Sequence, residues 1–458
     1  MNDFTFKGPL TAYCDPQMNN DTVQTLWERF SIGASTLSLK EGAPCSFLIG
    51  KGELPTLPEG KEYALSITED GIAIRGKDFG GLMRGYFSLL MKIIYEEEAL
   101  RLCPIEEESR YRIKNRMLHI CIFPDQDFYF IQKLVRLAGL CQYTHLVIEF
   151  WGMLQFDCMR ELGWPHAFSK EQVKELIGEA RALGMEPIPM FNHLGHATGC
   201  RLKNGKHVVL EQNPALQPYF TPDGWAWNIH SPKTKALLKA VRAELYELFD
   251  ESKYFHLGCD EAYYYTRNDE ERKQLPAFLK ELTEEVVKEG KRPMVWMDMM
   301  LEHGKYDQKW KIDASCAPDE VEIMQGALHP QTVMIDWQYH IQEAPAETLL
   351  SLKENPRDAM GAPWYDPKNY LAYADTIADH DFFGIMMTTW HTLSTYMPSI
   401  LGCAKACGAI THPWAITPSH SRTATNGLRE ETATLMRRIS FEGNTYETSG
   451  WAKMEIET

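Results

Sequence analysis

The chain has 458 residues, 44% of them hydrophobic and 24% charged, a balance that supports a sizeable core and one large barrel or two to three smaller domains. Its 63 acidic residues against 47 basic ones give a formal net charge of −16, which argues against a nucleic-acid backbone or an anionic lipid surface as partner. No apolar run approaches the ~18 residues of a membrane span, and residues 1–10 (MNDFTFKGPL) carry no basic-then-apolar secretory pattern.

Residues 62–67 (EYALSI) and 72–75 (IAIR), separated by a Gly-containing turn, read as two alternating strands. Residues 82–95 (LMRGYFSLLMKIIY) have amphipathic helical spacing, so residues 1–108 are expected to form a small α+β domain. The acidic runs at 96–98 and 106–108 read as a solvated connection. From residue 109 to 415 short apolar runs alternate with helical stretches. The runs are 117–123 (MLHICIF), 145–150 (HLVIEF), 186–191 (EPIPMF), 254–257 (YFHL), 293–297 (PMVWM), 332–337 (TVMIDW), a short piece before Pro363, and 383–390 (FGIMMTTW). Helical segments lie between them at 170–183, 234–249 and 277–289. Eight strands alternating with helices over ~300 residues predict a (β/α)8 TIM barrel in the α/β class. No Gly-rich phosphate loop follows the first strand, which disfavours a doubly wound open sheet. Residues 416–458 are expected to hold one polar helix, at 427–438, and a tail. The eleven cysteines are irregularly spaced and suggest free thiols in a reducing cytoplasm.

Chemistry in such a barrel collects at the carboxyl ends of the strands. The fourth run ends His256-Leu257-Gly258-Cys259-Asp260-Glu261-Ala262, followed by Tyr263, Tyr264 and Tyr265. Strand alternation would put His256, Gly258 and Asp260 on one inward face, with Glu261 at the mouth. Adjacent carboxylates in a desolvated pocket push one pKa up, as a general acid near neutral pH requires. The plain alternative is an acidic loop with a capping Asp. The third run leads to Asn192-His193-Leu194-Gly195-His196; His193 and His196 could bind a metal with Asp260, but a histidine positioning a carboxylate is the preferred reading. Trp151, Trp296, Trp337, Trp364 and Trp390 recur at strand ends, with Tyr339 and Tyr365 beside two of them. An aromatic-walled pocket with Asp298 and Asp366 as a polar rim suits a carbohydrate. Glu149 or Asp298 could instead serve as a carboxylate nucleophile.

Residues 256–261 resemble the His-x-Gly-Gly-Asp-Glu signature of glycoside hydrolase family 20, the exo-acting β-N-acetylhexosaminidases. Gly195-His196 is similar to that family's Gly-His, and residues 63–91 are similar to the small domain that often precedes its barrel. The resemblance implies retaining hydrolysis in which the substrate's acetamido oxygen attacks the anomeric carbon. By the same resemblance Asp260 orients the acetamido group and is ionised. Glu261 is the protonated acid that later activates water. Trp296, Trp337 and Trp390 wall the sugar, Tyr339 or Tyr365 contacts the amide, and His196 and His256 support the carboxylates. No cofactor and no metal are implied. The expected partner is an N-acetylated amino sugar glycoside, with a homodimer as the expected assembly. The chain departs from the family pattern in Cys259, in His119-Ile120-Cys121 where the family carries a sugar-gripping Arg, and in His391-Thr392 after Trp390. A glycan-binding barrel without turnover is the reading from outside the enzymes.

Overall fold

The computed structural model describes residues 3–96, 99–197, 209–390, 393, 397–409 and 424–441. Eight parallel strands close into a barrel: β1 (Asn115–Ile122), β2 (His145–Phe150), β3 (Glu186–Met190), β4 (Tyr254–His256), β5 (Arg292–Trp296), β6 (Val333–Asp336), β7 (Ala359–Gly361) and β8 (Gly384–Met387). Closure is made where β1 pairs with β8, with Asn115 opposite Gly384 and Leu118 opposite Met387. The interior is filled by Met117, Val147, Ile188, Met294, Ile335, Met360 and Met386, all fully buried, so the barrel is packed rather than hollow. Methionine suits this place because its unbranched chain fits irregular gaps. The outer helices start on local signals. Ser169 caps Lys170–Ala182 in a reciprocal box with Gln172, and Asp366 caps Pro367–His380 by accepting the N–H of Lys368 at 2.9 Å.

The amino-terminal part carries more strand than expected. A six-stranded sheet runs in the order Leu37–Glu41, Leu10–Cys14, Ser46–Gly50, Gly71–Gly76, Tyr63–Thr68, Ile105–Glu108, and a three-stranded sheet joins Phe4–Phe6, Ala99–Leu102 and Ile94–Glu96. The helix expected over 82–95 is Phe79–Leu90: Asp78 caps it early, and the chain after Leu90 turns into the small sheet. The run at 106–108 is a strand, not a connection. Glu107 pairs with Lys92 at 2.9 Å and accepts the Tyr63 hydroxyl at 3.0 Å. Glu62 fixes this part to the barrel through Arg84 at 2.5 Å and the buried Arg116 of β1 at 3.2 Å. The expected last helix is Ala424–Arg438; Arg438 donates to the Arg29 carbonyl at 2.6 Å, so it packs back onto the amino-terminal helix Asp21–Phe30. Among the described residues, no helix is long and apolar enough to cross a membrane.

Candidate active site

The strands deliver their last residues to one end of the barrel. β4 stops at His256, and Gly258, Cys259 and Glu261 then take positive φ values of 68°, 71° and 47°. The expected alternation of His256, Gly258 and Asp260 therefore fails beyond the strand. The tight left-handed path instead brings both carboxylates to the pocket. It is pinned by main-chain bonds on two sides, Trp296 N–H to the Gly258 carbonyl at 3.0 Å and His193 N–H to the Leu257 carbonyl at 2.8 Å. Two glycines are required by close approach. A Cβ on Gly195 would lie 1.9 Å from the Asp260 carbonyl oxygen, and one on Gly258 would lie 2.5 Å from the Asn192 amide oxygen. Non-glycine residues with positive φ are costly and collect at functional sites; His196 (56°), Cys259, Glu261 and Trp390 (45°) all lie here.

Asp260 is nearly buried and accepts the Asn192 side-chain N–H at 2.9 Å. His196 Nε2 lies 3.3 Å from Asp260 Oδ2 and 2.8 Å from Glu261 Oε2. Glu261 keeps 26% of its side chain exposed and also accepts a short hydrogen bond from the Tyr263 hydroxyl. The Trp225 indole donates to the Glu261 carbonyl at 2.7 Å, and its ring packs on His196 at 4.6 Å. Burial pushes the Glu261 carboxyl up, but the hydrogen bond and charge of His196 outweigh it, and Glu261 lies below the ordinary carboxylate value. The expected raised pKa falls on Asp298 instead, held well above its ordinary value by burial and then by the charge of Asp260.

Asp298 was expected on a polar rim, but it is buried, 4% exposed. Its Oδ2 accepts the Glu261 main-chain N–H at 2.9 Å and its Oδ1 accepts the Trp337 indole N–H at 3.1 Å. Asp366, the other expected rim residue, is a helix cap whose second oxygen accepts from Gln342 at 2.9 Å.

The aromatic residues singled out in the sequence lie in contact with one another. Trp390 packs against Trp296 at 5.9 Å and donates its indole N–H to the Tyr339 hydroxyl at 2.7 Å. Tyr339 lies 5.1 Å from Trp337 and 5.2 Å from Trp364, while Tyr365 packs farther along the chain of rings, 4.6 Å from Trp364. His256 is fully buried, 4.5 Å from Trp296, and its Nδ1 accepts the Gly258 N–H at 3.1 Å, so it braces the loop. His193 does not join the site: its Nδ1 bonds the Phe191 carbonyl at 2.6 Å between Phe191 and Phe255. His391 and Thr392 lie outside the described residues.

Two contributors were missed. Asn192 stood in plain view at the end of β3, but an amide beside a histidine has no distinctive pattern. Trp225 lies in an irregular loop with no periodicity to flag it. On β1 and β2, His119 Nε2 lies 3.1 Å from Glu149 and Cys121 Sγ lies 3.6 Å from the same oxygen, under the Trp390 ring. The ligand-type atoms of His119, Cys121 and Glu149 lie within 4.8 Å of one another, as do those of His196, Asp260 and Glu261. In each set the imidazole and a carboxylate already pair.

Residues 152–325 match the catalytic domain of glycosyl hydrolase family 20. Over this stretch, less than half of its length, the chain is similar to that family. The matched stretch holds the Gly195–His196 loop, the Asp260–Glu261 pair and Asp298. Hexosaminidase D of Bos taurus is 28% identical over 131 residues, 28% of this chain and 36% of that protein. Beta-hexosaminidase A of Caenorhabditis elegans is 21% identical over 273 residues, 54% of this chain and 47% of that protein. The chain thus spans half or less of the curated relatives it matches. Among solved structures, the family 20 exo beta-N-acetylglucosaminidase of Vibrio harveyi in complex with N-acetylglucosamine superposes with a TM-score of 0.65 at 16% identity, covering 96% of this chain and 75% of that one. The beta-N-acetylhexosaminidase of Bacteroides fragilis gives 0.64 at 17% identity, covering 89% and 88%. At these identities the superpositions establish the closed (β/α)8 barrel as the fold.

Proposed function

We propose that this chain is a retaining exo-glycosidase that releases terminal β-linked N-acetylhexosamine, GlcNAc or GalNAc, with the substrate's own acetamido oxygen as nucleophile. The observation that carries the proposal is the adjacency of Asp260 and Glu261, bridged by His196, at the mouth of an indole-lined pocket. A neutral amide is a weak nucleophile, and a fixed carboxylate beside it orients its N–H and stabilises the positive charge that develops as its oxygen attacks. Asp260, held by Asn192 and His196, fits that role. Glu261 is the more exposed of the two and fits proton transfer to the leaving oxygen and then from water. The low resting pKa of Glu261 means that His196 favours its ionised form in the empty site; sugar entering the pocket strips water from the carboxylate and favours the protonated acid. Trp337, Trp390 and Tyr339 offer apolar ring faces to the acetamido methyl and the pyranose, while Trp296, expected beside them, is fully buried and backs Trp390.

A protein carboxylate as nucleophile fits less well. Both oxygens of Asp298 accept protein N–H groups, and Glu149 is engaged by His119 and Cys121. We also propose a cytoplasmic location, which the ten described cysteines support, all being free thiols.

Assay of aryl N-acetyl-β-glucosaminide and galactosaminide with wild type and Glu261→Gln tests the reading. The variant is expected to lose at least ~10²-fold in turnover, the scale of general acid catalysis. Equal rates in the two proteins would remove Glu261 from the mechanism.

A further inference from the structure

We propose that Asp298 is a positioning residue that sets the proton donor and the acetamido wall with one side chain. The proposal rests on the reading of Glu261 as the acid. Asp298 follows β5 by two residues, is 4% exposed, and spends both oxygens on donors from two different strand ends. Oδ2 takes the main-chain N–H of Glu261, the residue whose φ of 47° needs an external anchor to persist. Oδ1 takes the indole N–H of Trp337, a ring of the pocket wall. The two groups thus clamped serve opposite ends of the reacting bond system: Glu261 at the leaving-group oxygen, Trp337 beside the acyl group. A displacement of about 1 Å at either end carries a large rate penalty, so a single rigid link between them has catalytic consequence.

The chemistry of the link is specific. Both partners are donors, so the bridging side chain must accept at each oxygen, and only a carboxyl group of this length does so. An amide presents N–H to one of them and breaks one arm of the clamp. A merely structural polar contact would explain burial and hydrogen bonding. It would not make loss depend on how much the leaving group needs a proton.

That dependence is the test. Wild type, Asp298→Asn and Trp337→Phe are compared on phenyl and 2,4-dinitrophenyl N-acetyl-β-glucosaminides, the second having a leaving group that departs without acid help. Asp298→Asn is expected to lower kcat/KM on the phenyl glycoside about tenfold more than on the dinitrophenyl glycoside, because Glu261 is displaced. Trp337→Phe, which keeps an aromatic face but loses the indole N–H and the pyrrole ring, is expected to lower both by the same factor. Equal losses on both substrates for Asp298→Asn, or no loss, overturn the positioning role. If the Asn variant does not fold, Asp298→Ser, which keeps an acceptor, is read by the same ratio. A wild type inactive on both glycosides, with the fold intact, contradicts the functional reading itself and is thereby distinct.

Discussion

One imidazole spans both carboxylates of the Asp260–Glu261 pair: His196 Nε2 lies 2.8 Å from Glu261 and 3.3 Å from Asp260. Two carboxylates adjacent in sequence repel, and in a pocket walled by indoles the repulsion is weakly screened. His196, itself at φ 56° beside a glycine that has no room for a Cβ, offsets that repulsion. It is also the group that holds Glu261 low.

Replacing His196 by Ala removes a hydrogen bond and a positive charge from Glu261, so the Glu261 pKa must rise. A general acid works while protonated, so the alkaline limb of the kcat/KM profile is expected to move to higher pH as the maximal rate falls. A pH profile from 4 to 9 on an aryl glycoside checks this, and an alkaline limb moving to lower pH would contradict the role given to His196.

Gly195 and Gly178 are opposite cases. Gly195→Ala places a Cβ against the Asp260 carbonyl and is expected to destabilise by more than about 2 kcal/mol while abolishing turnover. Gly178 lies inside Lys170–Ala182 with nothing within 4 Å of an added Cβ, so Ala there should stabilise by about 0.5–1 kcal/mol at unchanged activity. Urea midpoints of the two variants should shift in opposite directions from wild type.

Asp336, fully buried at the end of β6, bonds the hydroxyls of Thr348 at 2.7 Å and Tyr373 at 2.8 Å. Burial pushes its pKa from the ordinary 3.8 to about 6 despite those bonds. A raised carboxyl contributes its full stability below the unfolded value and loses it as pH climbs through the folded one. The loss should therefore develop between about pH 4 and pH 6 and reach on the order of 3 kcal/mol. Asp336→Asn, which stays neutral, should gain in Tm relative to wild type as pH rises from 4 to 7; an unchanging Tm difference would count against the assignment.

Much of this was legible in the sequence because β-strand period and helix caps are local signals. Residues 145–150 were read as a strand to the residue, and the barrel followed from the count of such runs. The amino-terminal strands before residue 62 were missed because they are short, partly exposed and paired with distant partners. In the site, the Asp260–Glu261 pair and the tryptophans were visible as residue types at strand ends. What local pattern could not carry was direction. Asp298 and Asp366 look alike in sequence, yet one is buried between two donors and the other caps a helix. The left-handed turns at Gly258, Cys259 and Glu261 likewise depend on contacts with β3 and β5, which no window of sequence contains.

Nucleophilic attack by the ligand's own amide oxygen is the core of the account, and a fluorination series measures it. Aryl β-glucosaminides bearing N-acetyl, N-fluoroacetyl, N-difluoroacetyl and N-trifluoroacetyl groups differ little in size but strongly in carbonyl electron density. The account predicts that kcat/KM falls stepwise along the series. A flat series, with the trifluoroacetyl compound hydrolysed as fast as the acetyl one, would show that a protein carboxylate or water attacks instead.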